Sequence, residues 1–323
     1  MTVTRRDVLA GACLAALGAR RAAAAPAFTL SIEEEDLYAR RGQAPVLRYR
    51  RRTVPAPAGA TPLLASSGYL HPVWAPCGAV VTNHLSPDHL HQRGVFSAWT
   101  KTRVVLDGEE LHPDFWNIHE GTGRVRSTGV QTLRGGAGFR ATHVSEARRG
   151  QEWVPVLDER WEVRFPARPV EEPGAPRAAH VFDLTSRQTP RHAIELLKYH
   201  YGGMAVRGSG QWAKGSDMQV LTSEGKGRVE ADQHPARWVD MSGTVDGKPA
   251  GIALLEHPTN LHAPNGVRMH PDMPYYVFAL PQSGPVTLEA GKEYVFRYRL
   301  VAHNGRADRE LLDALWAEFA KQP

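Results

Sequence analysis

Short apolar and β-branched runs recur along the chain, at residues 46–49, 80–82, 103–106, 129–133, 159–165, 180–184, 251–255, 275–279 and 294–301. Most are bounded by Gly, Pro, Asn or Asp, residues that end strands and build turns. Runs this short with such boundaries predict antiparallel strands. Arg297-Tyr298-Arg299-Leu300-Val301 has the period of two expected of a half-exposed strand. Only one segment carries a helical period: Leu311, Leu312, Leu315, Trp316 and Phe319 fall on one face, and Asp308 can cap it. The fold class that follows is mostly β, an antiparallel sandwich or barrel, of which a large two-sheet sandwich with a C-terminal helix is the choice. Residues 166–176 form a proline-rich hinge or surface loop. Strand-like patterns continue on both sides of it, so residues 26–323 read as a single domain.

The N-terminus departs from this pattern. Arg5-Arg6 precedes a short apolar stretch over residues 8–19, followed by Arg20-Arg21 and four alanines. A basic start, a short apolar segment and an Ala-x-Ala end are the parts of a secretory signal, and the paired arginines indicate the twin-arginine route. Residues 1–25 are therefore expected to be a leader, cleaved near Ala24 or Ala25, with the mature protein in the periplasm. The apolar stretch is too short to cross a bilayer, which takes about 20 apolar residues, so no membrane span is expected. Loss of the leader removes four arginines and one aspartate from a chain of net charge +5, bringing it to +2. That balance gives no reason to expect a nucleic-acid partner. Cys77 is then the only cysteine, so stability must come from a buried core rather than a disulfide.

The densest polar segment runs from His84 through Pro87-Asp88-His89-Leu90-His91-Gln92-Arg93-Gly94 into the apolar residues 95–99. If residues 89–93 are extended, His89, His91 and Arg93 share one face, because strand side chains repeat every two residues. Histidine moves protons near neutral pH and arginine binds anionic or developing oxyanion groups, which suits acid–base or substrate-binding roles. The same histidines, with His84, are also a possible ligand set for a divalent metal. A His-x-His pair resembles a cupin metal site, but Val95 stands where that pattern needs glutamate. A third reading is a structural hydrogen-bond network that pins a loop.

Three further clusters add candidates. Asp114-Phe115-Trp116-Asn117-Ile118-His119-Glu120 sets aromatics beside polar groups, a combination suited to sugar rings, with Trp116 and His119 as binding residues. Residues 198–207 place Lys198 and Arg207 around a Gly202-Gly203 turn. The strand-like residues 251–255 end in Glu256-His257-Pro258-Thr259-Asn260, and Arg268 follows. Nucleotide fingerprints, the Gly-x-Ser-x-Gly elbow and Cys-x-x-Cys are all absent from the sequence.

Four pieces together resemble a bacterial family catalogued as PmoA-like: His71-Pro72-Val73-Trp74-Ala75-Pro76-Cys77-Gly78, the segment from Pro87 to Phe96, Lys198-Tyr199-His200-Tyr201-Gly202-Gly203, and Glu256-His257-Pro258-Thr259-Asn260. They occur in matching order across residues 46–319. Two departures matter: Gln92 replaces the second histidine of the family's His-His-Arg-Gly, and Glu256 replaces its aspartate. Gln92 keeps hydrogen bonding but cannot act as acid or base. The catalogue name implies a membrane copper enzyme, which a chain without an expected span does not support. In strand pattern and rim His/Arg groups the family is similar to the supersandwich of sugar mutarotases. The resemblance implies a small-molecule carbohydrate substrate, with His89 or His91 as acid or base, Glu256 or His257 as its counterpart, and Arg93 and Arg268 binding oxygens; Asp88, Arg207 and Asn260 complete the expected binding set.

The leading expectation is a periplasmic carbohydrate enzyme using general acid–base chemistry without a cofactor, for epimerisation or for elimination or hydrolysis at a glycosidic bond. The rivals are a metal-dependent enzyme using His84, His89 and His91, and a non-catalytic sugar-binding protein. The 89–93 and 256–260 segments are expected to meet across one cleft, since a sandwich gathers strand-end loops at its rims.

Overall fold

A computed structural model describes residues 28–166 and 174–323. The expected leader and most of the proline-rich 166–176 segment lie outside the described residues. The described chain is mostly strand and forms two eight-stranded sheets, one four-stranded sheet and one two-stranded hairpin, with antiparallel pairing throughout.

The first large sheet runs, in spatial order, Phe28–Glu33, Asp36–Arg41, Ala44–Arg50, Tyr69–Val73, Val95–Ala98, Gly203–Arg207, Tyr275–Ala279 and Val267–Met269. The second runs Gly123–Thr132, Gly138–Arg149, Glu152–Arg164, Ala179–Pro190, Tyr294–Asn304, Lys248–Glu256, Trp238–Val245 and Gln219–Thr222. Eight of the nine apolar runs in the sequence fall on strands; residues 80–82 make only isolated bridges, Trp74 with Val80 and Thr82 with Gly208.

The two large sheets pack face to face through one continuous apolar cluster. Tyr49 of the first sheet meets Phe139 of the second, Trp99 meets Phe296, and Phe278 stacks on Tyr298. The Tyr276 hydroxyl crosses the layer to donate to the Val239 and Ile252 carbonyls. These contacts define an inner face for each sheet, and strand alternation assigns the outer faces.

The outer face of the second sheet is covered by the C-terminal helix Arg309–Phe319. Asp308 accepts from the Leu311 amide at 3.0 Å, the expected cap. Leu312 and Leu315 then pack on Val181, Trp238, Ala253, Leu255 and Val301 in a second apolar cluster. Lys248–Glu256 is thus buried on both faces: Ile252 and Leu254 face the core, Ala253 and Leu255 face the helix. The only other α-helix among the described residues is the single turn Arg228–Ala231, and none is long and apolar enough to cross a membrane.

The outer face of the first sheet is covered differently. The hairpin His84–Ser86 and His89–Arg93 lies over it, together with the segment from Asp114 to the turn Ile118–Glu120. Gly94 makes the crossing from hairpin to sheet possible. Its φ is +41°, and a Cβ there would meet the Leu70 carbonyl oxygen, so only glycine fits this close approach.

Candidate functional site

Between this cover and the sheet lies a pocket of about 190 Å³, lined chiefly by His89, His91, Trp116, Tyr201, Arg268 and His270. Gln92, Asn117, His200, Met273 and Tyr275 complete its wall. The strand His89–Arg93 is extended as expected, and the two-residue repeat brings the His89 and His91 rings to 5.4 Å, edge to face. His270 stands 6.0 Å beyond His89, and His119, on its exposed turn, 5.1 Å beyond His91. Four imidazoles from three separate chain segments therefore form one row.

Burial lowers three of these imidazoles, His89, His91 and His270. His91 is pushed down to about 3, mainly by burial and then by the fields of His119, His89 and Arg93. His270 falls to about 4 through burial, Arg268 and His89. His89 is lowered by burial as well, but the neighbouring Asp88 carboxylate opposes the shift. The His270 Nδ1 accepts from the Asp272 and Met273 amides, which leaves Nε2 to carry the proton in the neutral ring. Two polar atoms of the wall, His89 Nδ1 and the Tyr275 hydroxyl, are buried without a hydrogen-bond partner among the described residues.

Arg207 holds the hairpin in place. It projects from the first sheet, is 1% exposed, and donates to Gln92 Oε1, Ser86 Oγ and both oxygens of Asp88. Burial alone would raise Asp88, yet the Arg207 and Ser86 hydrogen bonds hold it below the usual carboxylate range. Asp88 and Arg207, expected to touch substrate, are therefore spent on each other. Asp114 plays a comparable part: it accepts from the Trp116 and Asn117 amides, the Asn117 side chain and Thr100, folding the turn that presents Trp116. Asn117 in turn donates to the Tyr201 hydroxyl at 3.0 Å. Trp116 packs on Phe96 and Tyr275, so it is both a core residue and a wall of the pocket.

Arg93 lies at the far end of the hairpin strand, 6% exposed, its guanidinium 6.0 Å from the Tyr69 ring. Nearby, His84 accepts or donates a hydrogen bond with the Tyr69 hydroxyl and stacks on His71 at 4.1 Å. His84 is thus turned to His71 and Tyr69 rather than joined to His89 and His91. Among the described residues no group of three or more His, Cys, Asp or Glu is arranged to hold a metal ion, and the His84, His89, His91 set is not gathered into one.

The expected meeting of the two histidine segments does not occur, because neither Glu256 nor His257 lines the pocket. Successive strand residues point to opposite faces, and the pair divides accordingly. Glu256 follows Ile252 and Leu254 toward the core, beside its register partner Tyr298, where Asn265 caps both its oxygens at 2.7 and 2.6 Å. Burial raises it to about 7. His257 follows Leu255 outward, against Phe319 of the C-terminal helix at 4.9 Å, and its Nδ1 pairs with the Thr259 hydroxyl. Asn260 pairs with the Arg297 backbone through both ends of its amide, beside the bond from the His257 amide to the same carbonyl. Lys198 is exposed and lines no part of the pocket. Arg268 does line it, while donating to Asp232 at 2.9 Å.

His200, Tyr201, Asn117, His270 and Tyr275 were not singled out from the sequence. For His270 a local signal existed, since it stands two residues after Arg268, as His91 does after His89. The others reach the pocket only through the topology.

The sequence profile of a family of unknown function (DUF6807) matches residues 37–317, and the chain belongs to that family. No curated protein matches it. Among solved structures, a galactose mutarotase related enzyme from Lactobacillus acidophilus is similar at 8% identity and TM-score 0.38, over 87% of this chain and 99% of that one. The GH36 alpha-galactosidase AgaA from Geobacillus stearothermophilus gives 9% identity and TM-score 0.34, over 86% and 41%. A polysaccharide lyase gives 12% and 0.30, over 67% and 27%. At these TM-scores the likenesses assign neither an activity nor a substrate to this chain.

Proposed function

We propose that the pocket binds a carbohydrate and transfers a proton at it, with His89 and His91 as the proton-handling pair. The observation that carries this reading is their edge-to-face contact on one side of a strand, at a pocket walled by Trp116, Tyr201 and Tyr275. Aromatic faces suit the apolar faces of a sugar ring, while Asn117, Gln92, Arg268 and the imidazole nitrogens meet its hydroxyl edges. The unpartnered His89 Nδ1 and Tyr275 hydroxyl are polar groups that a ligand would satisfy.

Hydrolysis by paired carboxylates needs two carboxyl groups flanking the scissile bond. Among the described residues no carboxylate lines this pocket. Proton abstraction by a neutral imidazole, leading to epimerisation or elimination, is the better match. His89, beside Asp88, is the stronger base; His91, held low, serves as hydrogen-bond donor or acceptor to the developing oxygen, with Arg268 binding another. A twin-arginine leader would place this chemistry in the periplasm.

Incubation with a sugar panel in deuterium oxide tests the reading. Solvent deuterium should enter a sugar C–H position, or anomers should interconvert faster than in buffer, with wild-type protein and not with His89→Gln. Binding without exchange would leave a sugar-binding protein in its place.

A further inference from the structure

A second pocket, of about 270 Å³, opens at the edge of the second sheet, beside its outermost strand Gly123–Thr132. Pleating puts Arg124 and Arg126 on one face of that strand, with Glu146 across from Arg124 and Trp153 across from Arg148 in register. Glu146 accepts from Arg124 Nε at 2.6 Å and from Arg126 at 3.0 and 3.2 Å. The Trp153 ring supports the Arg124 guanidinium at 4.3 Å. Both arginines line the pocket, and their side chains are 37% and 44% exposed, so a ligand there reaches them. Arg124 Nη1 and Nη2 and Arg126 Nη1 have no hydrogen-bond partner among the described residues. One carboxylate thus serves two guanidiniums, and among the described residues none lines the pocket itself. Leu63, Ile118 and Trp153 give it an apolar wall.

Unspent arginine nitrogens beside an apolar wall fit a ring that carries an oxyanion, because the guanidinium fork matches carboxylates and related oxyanions. The second pocket also adjoins the first. Ile118 walls one, and its neighbours Trp116 and Asn117 wall the other, so the segment from Asp114 to Glu120 is the partition between them. His119, exposed on the same turn, stands 5.1 Å from His91 at that crossing. We infer that the two pockets are subsites of one site whose ligand is an acidic oligosaccharide. One sugar unit sits at His89 and His91, and the oxyanion of a further unit of the same chain is bound by Arg124 and Arg126. The inference rests on the carbohydrate reading above and names the class of substrate.

Calorimetric titration of the whole protein with galacturonate and mannuronate tetramers, their uncharged methyl esters and a sulfated heparin tetrasaccharide tests this. Wild type should bind one of the charged chains about tenfold more tightly than an uncharged ester, the scale of one charge-assisted hydrogen bond. Whether the uronate or the sulfated chain binds names the oxyanion. Raising the salt concentration should shrink the preference, since both arginines are open to solvent. Arg124→Gln and Arg126→Gln should each remove most of it while melting close to wild type, because the other arginine still pairs Glu146. His91→Ala should weaken the same charged chain, which occupies both pockets. Equal binding of charged and uncharged tetramers by wild type would overturn the inference and leave the carbohydrate reading intact. A charge preference that survives in both arginine variants would also overturn it, placing the anion site elsewhere. Binding that falls in the arginine variants but not in His91→Ala would overturn the joining of the two pockets. If no sugar binds, this inference and the carbohydrate reading both fall.

Discussion

Arg207 grips both oxygens of Asp88 with a single nitrogen, at 2.9 and 2.8 Å, and so ties the histidine-bearing hairpin to the sheet beneath it. Charge-assisted bonds of this kind are short and geometrically specific. The pair sits behind the site rather than in it. Its task is to fix where His89 and His91 stand.

Asp88→Asn should therefore lower stability modestly, by about 1 kcal/mol or less, because the Asp88 side chain is 40% exposed and solvent screens the pair. Turnover should fall less than on loss of either histidine. Arg207→Met should cost more, because Gln92, Ser86 and Asp88 all lose their donor. Thermal melts beside turnover per folded molecule separate the two effects. A normal melt of Arg207→Met would show that the hairpin holds without it.

His89→Gln and His91→Ala should lose activity while melting close to wild type. Removal of a positioned acid or base costs roughly 10²- to 10⁴-fold in rate. His89→Gln should fall further, since His89 is the better base. A variant that melts early yet keeps full turnover would assign the row to loop anchoring.

His257→Ala should leave turnover per folded molecule unchanged, because its ring lies against Phe319 on the outer face of the second sheet. Leu312→Ala, beneath the same helix, should destabilise by about 2–5 kcal/mol, also without touching turnover. A large kinetic defect in His257→Ala would bring the two histidine segments back together.

Acid should weaken the fold. His71, His84, His91 and His180 are lowered to about 2, 4, 3 and 4 by burial, so the unfolded chain takes up protons near pH 6.5 that the folded chain refuses. Their contribution is full above pH 6.5 and is lost as pH falls toward 4. Glu256, raised to about 7, and His303, raised beside Asp240, act in the opposite sense over the same range. The lowered histidines, with His270 and His89 also among them, outnumber these two, so the melting temperature should fall between pH 7 and pH 5. His84→Gln should make that fall shallower; a slope unchanged in the variant would remove His84 from the account.

Replacing Arg5 and Arg6 with lysine should hold the precursor in the cytoplasm, as fractionation would report. Unaltered export would exclude the twin-arginine route.

The apolar runs made the strands legible, and the 3.6-residue spacing from Leu311 to Phe319 made the C-terminal helix legible. Both are local consequences of which side chains must leave water. The shared face of His89, His91 and Arg93 was legible for the same reason, since pleating sets it within five residues. Glu256 and His257 misled because residues 251–255 are apolar at every position. A strand buried on both sides shows no polar phase, so nothing local says which neighbour faces the core. That was decided by the helix packed above the second sheet and the first sheet packed below it. The pocket wall was decided in the same way. His200, Tyr201 and His270 reach His89 only because strands distant in sequence pair side by side, and which strands pair depends on burying all their faces at once. Charge balance is likewise a tertiary property. The sequence does not say which carboxylate Arg207 meets, and only the folded chain brings Asp88, 119 positions away, to it.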